Sequence, residues 1–93
     1  AQLAELGAEL NRRVLADWMA QGVGVVDPAS TWVDVTAELA QDVTLEQGVL
    51  VRGTTRIGQG ARVGAYAILT DAVIPAGCVV APFSQLDADA AQA

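Results

Sequence analysis

The stretch Leu45-Glu46-Gln47-Gly48-Val49-Leu50-Val51-Arg52-Gly53-Thr54-Thr55-Arg56-Ile57-Gly58 decides the fold, because a branched aliphatic returns every sixth residue, at Leu45, Val51 and Ile57. The same count runs outward from it, back to Leu39 and Val33 and on to Val63 and Leu69. It slips once: Ile74 follows Leu69 after five residues, and Val80 and Leu86 then resume the sixes. Four positions after most of these aliphatics stands a small or β-branched residue, at Ala37, Val43, Val49, Thr55, Ala61, Ala67, Cys78, Ser84 and Ala90. The 3.6-residue helical period does not produce a six. A short strand, a corner and a new strand on the next face of a triangular prism does, and three such steps close a coil of about 18 residues. The expected fold is therefore mainly β, a parallel β-helix over residues 25–90 followed by a tail at 91–93. It should contain about three coils and stand roughly 15 Å tall at about 4.8 Å per coil.

Folding the count into coils predicts which side chains stack. Val33, Val51, Leu69 and Leu86 share one face, Leu39, Ile57 and Ile74 the second, and Leu45, Val63 and Val80 the third. The small-residue column Val43, Ala61, Cys78 puts the only cysteine inside the prism as an inert core residue. Asp34 should lie one coil below Arg52, and Glu38 one coil below Arg56, as cross-strand pairs worth about 0.2–1 kcal/mol each. Tyr66 and Phe83 should stack on neighbouring coils at one corner, which suits a subunit contact better than a ligand shelf. Glycines in Ile57-Gly58-Gln59-Gly60 lack a following helix, so they read as corner residues and not as a phosphate loop.

Ahead of the repeat, residues 2 to about 21 read as an amphipathic helix within a connecting segment, 1–24. Leu3, Leu6, Leu10, Val14 and Trp18 form its apolar stripe, Glu9 and Arg13 an i,i+4 pair, and Gly22 and Gly24 its stop signal. Trp32 and this helix are expected to cover the lower end of the prism. The acidic, alanine-rich stretch 87–93 is all that follows at the upper end.

Composition removes whole classes of chemistry. Among the 93 residues there is no His and no Lys, so histidine bases, histidine metal sites and lysine Schiff bases are excluded. Five Arg against eleven Asp plus Glu give a net charge of −6, which opposes binding to nucleic acid or to an anionic membrane. A single cysteine permits no internal disulfide and fits a reducing, cytoplasmic setting. No stretch approaches the ~18 apolar residues of a membrane span, and no signal peptide is visible. Asp71, Asp87 and Asp89 are too dispersed along the repeat to suggest more than adventitious cation binding.

The order of parts resembles one bacterial family closely. The carriers are Gln2-Leu3-Ala4-Glu5-Leu6, the turn Gly22-Val23-Gly24-Val25-Val26-Asp27-Pro28-Ala29, the coil Arg52-Gly53-Thr54-Thr55-Arg56-Ile57-Gly58, the short step before Ile74-Pro75-Ala76-Gly77, and Ala81-Pro82-Phe83-Ser84-Gln85-Leu86. The family joins an N-acetylglucosamine-1-phosphate uridyltransferase to a glucosamine-1-phosphate acetyltransferase, and this chain is similar to its connecting helix and first coils. The resemblance implies a left-handed coil, a homotrimer, and acetyl-CoA and Mg as cofactors of the full-length family, with acetyl-CoA sites between subunits on later coils. It also implies a histidine base that this chain lacks. Where the family continues with Leu-Arg-Pro-Gly at its sugar-phosphate site, this sequence reads Leu86-Asp87-Ala88-Asp89. No catalytic, cofactor-binding or metal residue can therefore be carried over. The expectation is a non-catalytic, self-associating segment of UDP-N-acetylglucosamine biosynthesis. The alternatives are an acetyl-CoA-dependent acyltransferase using Asp71 or Glu46 as base, and a truncated or designed solenoid that stacks end to end.

Overall fold

The computed structural model of the chain describes the backbone of residues 2–88 and the side chains of residues 7–88. Leu3, Leu6, Asp89, Ala90 and the tail at 91–93 lie outside the described side chains. The first element is helix α1, Gln2–Ala20. It ends in a Schellman motif: the Val23 N–H donates to the Trp18 carbonyl at 3.0 Å and the Gly22 N–H to the Met19 carbonyl at 3.1 Å. Gly22 supplies the positive φ, 100°, that this turn needs.

Eleven short strands follow: β1 Gly24–Val25, β2 Trp32–Val33, β3 Glu38–Leu39, β4 Thr44–Leu45, β5 Leu50–Arg52, β6 Arg56–Ile57, β7 Arg62–Val63, β8 Ile68–Thr70, β9 Val73–Ile74, β10 Val79–Val80 and β11 Gln85–Leu86. They stack in parallel as three sheets, β1-β4-β7-β10 on a first face, β2-β5-β8-β11 on a second and β3-β6-β9 on a third. The result is a β-solenoid of about four turns. The aliphatic columns have the register that the six-residue count requires, with Val33 beside Val51, Val51 beside Leu69, Leu39 beside Ile57 and Leu45 beside Val63. The shortened step keeps register too, because Ile57 faces Ile74. Side chains of Val43, Leu45, Val49, Val51, Ala61, Val63 and Leu69 are fully buried along the axis.

Several expectations are corrected. The solenoid begins one strand before the repeat count, because Gly24 and Val25 pair with Thr44 and Leu45, which adds a third of a turn. Val25 precedes Val33 by eight residues, and the surplus is taken up by a turn in which Asp27 accepts from the Ser30 hydroxyl (2.9 Å) and the Thr31 hydroxyl (2.8 Å). Cys78 is exposed, not enclosed. Val43 and Ala61 each lie beneath another rung of their column, whereas Cys78 is the highest member among the described residues. Within the five-residue step the buried small residue is Ala72, which stands above Thr55 in a different column. Asp34 does not pair with Arg52. Its carboxylate accepts from the Trp32 indole at 2.6 Å and the Gly53 backbone N–H at 2.8 Å, so it closes the corner next to it.

The helix also packs differently from its expected stripe. Leu15 is 1% exposed, whereas Leu10 on the expected stripe is 52% exposed. Asn11 causes the shift: its Nδ2 donates to the Thr31 carbonyl at 2.7 Å and its Oδ1 accepts from the Val33 N–H at 3.0 Å. These are backbone groups at the lower edge of β2, with no rung beneath them, and buried backbone groups must find partners. Asn11, Leu15 and Trp18 therefore form the face that α1 turns to the solenoid.

Candidate functional site

Each carboxylate singled out in the sequence has a structural partner. Glu46, following β4, accepts from Arg62 on the coil above, Nη2 at 2.6 Å and Nε at 3.0 Å, all on Oε1. Asp71 sits at a corner with φ 51° and accepts through Oδ1 from the Thr54 N–H at 2.8 Å and the Thr54 hydroxyl at 3.2 Å. A side chain on Gly53 would collide with that carboxylate, so the glycine makes room for the cap. Glu38 and Arg56 pair between rungs at 3.4 Å, and Glu9 holds Arg13 at 3.5 Å, both as expected, with Arg12 also on Glu9 at 2.7 Å. Such exposed pairs contribute at most about 1 kcal/mol. The structure brings neither Glu46 nor Asp71 together with a second group suited to acid–base work.

A metal ion needs clustered ligands, and the phosphates of a coenzyme need cations to meet them. Among the described residues no group of three or more His, Cys, Asp or Glu side chains could hold a metal ion. Four of the five arginines, Arg12, Arg13, Arg56 and Arg62, are already ion-paired within the chain, which leaves only Arg52 to meet the phosphates of a coenzyme. Gly58 is a corner glycine of the expected kind, where a side chain would run into the Pro75-Ala76 backbone of the next coil.

The outward-facing positions carry the contrast. In the lower coils they include the Glu38–Arg56 and Glu46–Arg62 pairs. In the next coil they are Ile68 on the second face, Val73 on the third and Val79 on the first, each directly above a lower-coil position: Leu50, Arg56 and Arg62. Residues 63–86 contain one charged side chain, Asp71. The corner joining the first and second faces stacks Tyr66 and Phe83, ring centroids 5.5 Å apart and planes 12° from parallel. Tyr66 covers Gly48 on the coil below. Its N–H donates to the Gln47 carbonyl at 2.9 Å, and the Phe83 N–H donates to the Ala65 carbonyl at 2.9 Å. Both aromatics have left-handed backbones, φ 61° and 63°, where Gly48 at the same corner has 71°. That conformation costs a residue with a side chain roughly 1–2 kcal/mol. Phe83 nevertheless remains 76% exposed, as does Val79.

No model of a known protein family matches the chain. Individual proteins do. Bifunctional protein GlmU of Kineococcus radiotolerans is 54% identical over 80 residues, 86% of this chain, and that of Rhodococcus jostii 45% identical over an alignment of 101 positions, 91% of it. The Thermus thermophilus protein of the same name is 43% identical over 79 residues. The chain is related to one segment of GlmU. It spans only 16% to 20% of the length of these relatives. The resemblance read from the connecting helix and first coils is thereby shown, and the solenoid is the architecture it implied.

Asn11 is the residue that sequence reasoning missed. Its signal was present: it stands four before Leu15 and seven before Trp18, on the helical face that packs. A polar residue there implies backbone groups that need it.

Proposed function

We propose that this segment is a non-catalytic, self-associating base of a GlmU-like acetyltransferase domain, and that it assembles as a homotrimer in the cytoplasmic synthesis of UDP-N-acetylglucosamine. The observation that carries the proposal is the stretch 63–86, whose one charge is Asp71, with its exposed Val79, Phe83 and Tyr66, on a chain of net charge −6. Exposed aromatic and branched apolar side chains grouped together are typical of surfaces that another subunit covers. The engagement of Glu46 by Arg62 and of Asp71 by Thr54 supports the non-catalytic half. Acetyl-CoA and Mg2+ would belong to other parts of the longer relatives.

Light scattering after gel filtration tests the assembly, with an expected mass near three times 9.6 kDa. A monomer would overturn it. Thiol release from acetyl-CoA in the presence of glucosamine 1-phosphate should stay at the uncatalysed rate. Sustained turnover would establish the acyltransferase alternative, and concentration-dependent elongated species the end-to-end scaffold.

A further inference from the structure

The repeat drops a residue once, between β8 and β9, and the omission opens a gap in the hydrogen bonding of the corner. At five six-residue corners the small residue's N–H donates to the carbonyl three positions before it: Ala37 to Asp34, Ala61 to Gly58, Ala67 to Gly64, Cys78 to Pro75 and Ser84 to Ala81, at 3.1–3.3 Å. In the short corner the small residue is Ala72. Gly53 and Asp71 hold the same place in successive coils, both with left-handed backbones, φ 67° and 51°, so the omitted residue is the counterpart of Thr54. Thr70 then lies only two residues before Ala72, too near for the bond that closes the other corners. Ala72 is fully buried, and a buried N–H needs a partner.

We infer that Thr55 is a conformational pivot: its buried hydroxyl stands in for the residue that the next coil omits, and so holds the upper coils in the register that turns Val79 outward. Oγ1 of Thr55 accepts from the Ala72 N–H at 3.2 Å and donates to the Arg52 carbonyl at 2.8 Å. One hydroxyl thus closes two corners, its own and the short one above it. The Asp71 N–H, which donates to the same Arg52 carbonyl at 3.2 Å, and the Thr54 N–H, which donates to the Asp71 carboxylate at 2.8 Å, fasten the short corner further. A hydroxyl enclosed in the prism is costly unless it is bonded, and Thr55 is 0% exposed. The other buried polar side chains among the described residues, Asn11 and Thr31, belong to the lower edge. What the pivot protects is the alternation of the upper strands, since a slip of one residue turns every side chain to the opposite face. Had the sixes continued from Leu69, Pro75, Ala81 and Asp87 would point inward and Ile74, Val80 and Leu86 outward. In the observed register Ile74 and Val80 are buried and Val79 is exposed. The aliphatics favour the short step, and the Thr55 hydroxyl removes its cost by satisfying Ala72. This holds for a monomer as for an assembly.

The test is amide hydrogen exchange on the whole 93-residue chain. Thr55→Val keeps the branched shape and removes the hydroxyl, whereas Thr55→Ser keeps the hydroxyl. Exchange at Ala72 should be at least about tenfold faster in Thr55→Val and close to the parent in Thr55→Ser. A threonine inserted between Asp71 and Ala72 restores a six-residue corner with its own closing bond, so in that background Thr55→Val should leave exchange at Ala72 unchanged. Unaltered exchange at Ala72 in a folded Thr55→Val chain would overturn the inference. An equal acceleration with and without the inserted residue would do so too, because the hydroxyl would then be a general core contact. Should the insertion prevent folding, the two substitutions decide alone: Thr55→Ser exchanging as fast as Thr55→Val excludes the hydroxyl as the pivot. Should Thr55→Val itself unfold the chain, a folded Thr55→Ser supports the pivot and an unfolded one overturns it.

Discussion

The lower and upper coils are built alike within and differently without. Leu45 and Leu69 are both fully buried and both stack between neighbours in a column. Outside, Glu38 and Arg56 on the third face give way to Val73, and Arg62 on the first gives way to Val79. Core and surface therefore answer to separate constraints. Inward residues must fill a prism of constant cross-section, which allows only a branched aliphatic at each strand and a small residue at each corner. Outward residues are free of that constraint, so their change with height reports on what the surface meets.

Truncating the axis should have the largest effect and should not distinguish the halves. Leu45→Ala and Leu69→Ala should each cost about 2–5 kcal/mol in denaturant unfolding, since each leaves a cavity between rungs. A much smaller cost at Leu69 would break the equivalence and mark the upper coil as loosely packed. Next comes Asn11→Ala, which strands the Thr31 carbonyl and the Val33 N–H at the lower edge. We expect a loss of about 1–3 kcal/mol, with faster amide exchange at Val33. Higher in the stack the Ala72 N–H has its own partner, the Thr55 hydroxyl at 3.2 Å, so the effect of Asn11→Ala should stay local to the lower edge.

Phe83→Gly sharpens the contrast between stability and surface. Glycine relieves a left-handed strain of roughly 1–2 kcal/mol and forfeits a ring stack worth about 0.5–1.5 kcal/mol. The folding free energy should change by less than about 1 kcal/mol while the assembly weakens. Smallest is Glu38→Gln, which removes an exposed pair and should cost about 0–1 kcal/mol, less in high salt. A larger loss would show that the lower coils use their charges for more than solvation.

Much of this was legible because the repeat is strict. A six-residue count from Val33 to Leu69 admits one register, and each column follows from it, as does the stack of Tyr66 on Phe83. The failures lie where the count stops or where a polar group outranks it. Val25 was placed in the β-helix but given no column, because the eight residues to Val33 hide a turn held by Asp27. Cys78 was placed inside because the column predicts a direction, whereas burial also needs a rung above. Asp34 was assigned to Arg52 by height alone, but the Gly53 N–H and the Trp32 indole lie closer to hand. Of the candidate site, the aromatic corner could be read from a spacing of 17 residues, while the apolar outward positions Ile68, Val73 and Val79 are hidden in sequence among the inward aliphatics beside them.

The clasp of Asn11 on β2 bears on a hazard common to every open stack of parallel strands. A bare strand edge recruits whatever extended peptide drifts against it, and the outcome is a growing fibril. Here an intruder arriving from below at β2 finds both the Val33 donor and the Thr31 acceptor occupied by a side chain that offers no edge of its own. One amide on a helix thus closes the lower edge of β2 to templating by a foreign strand.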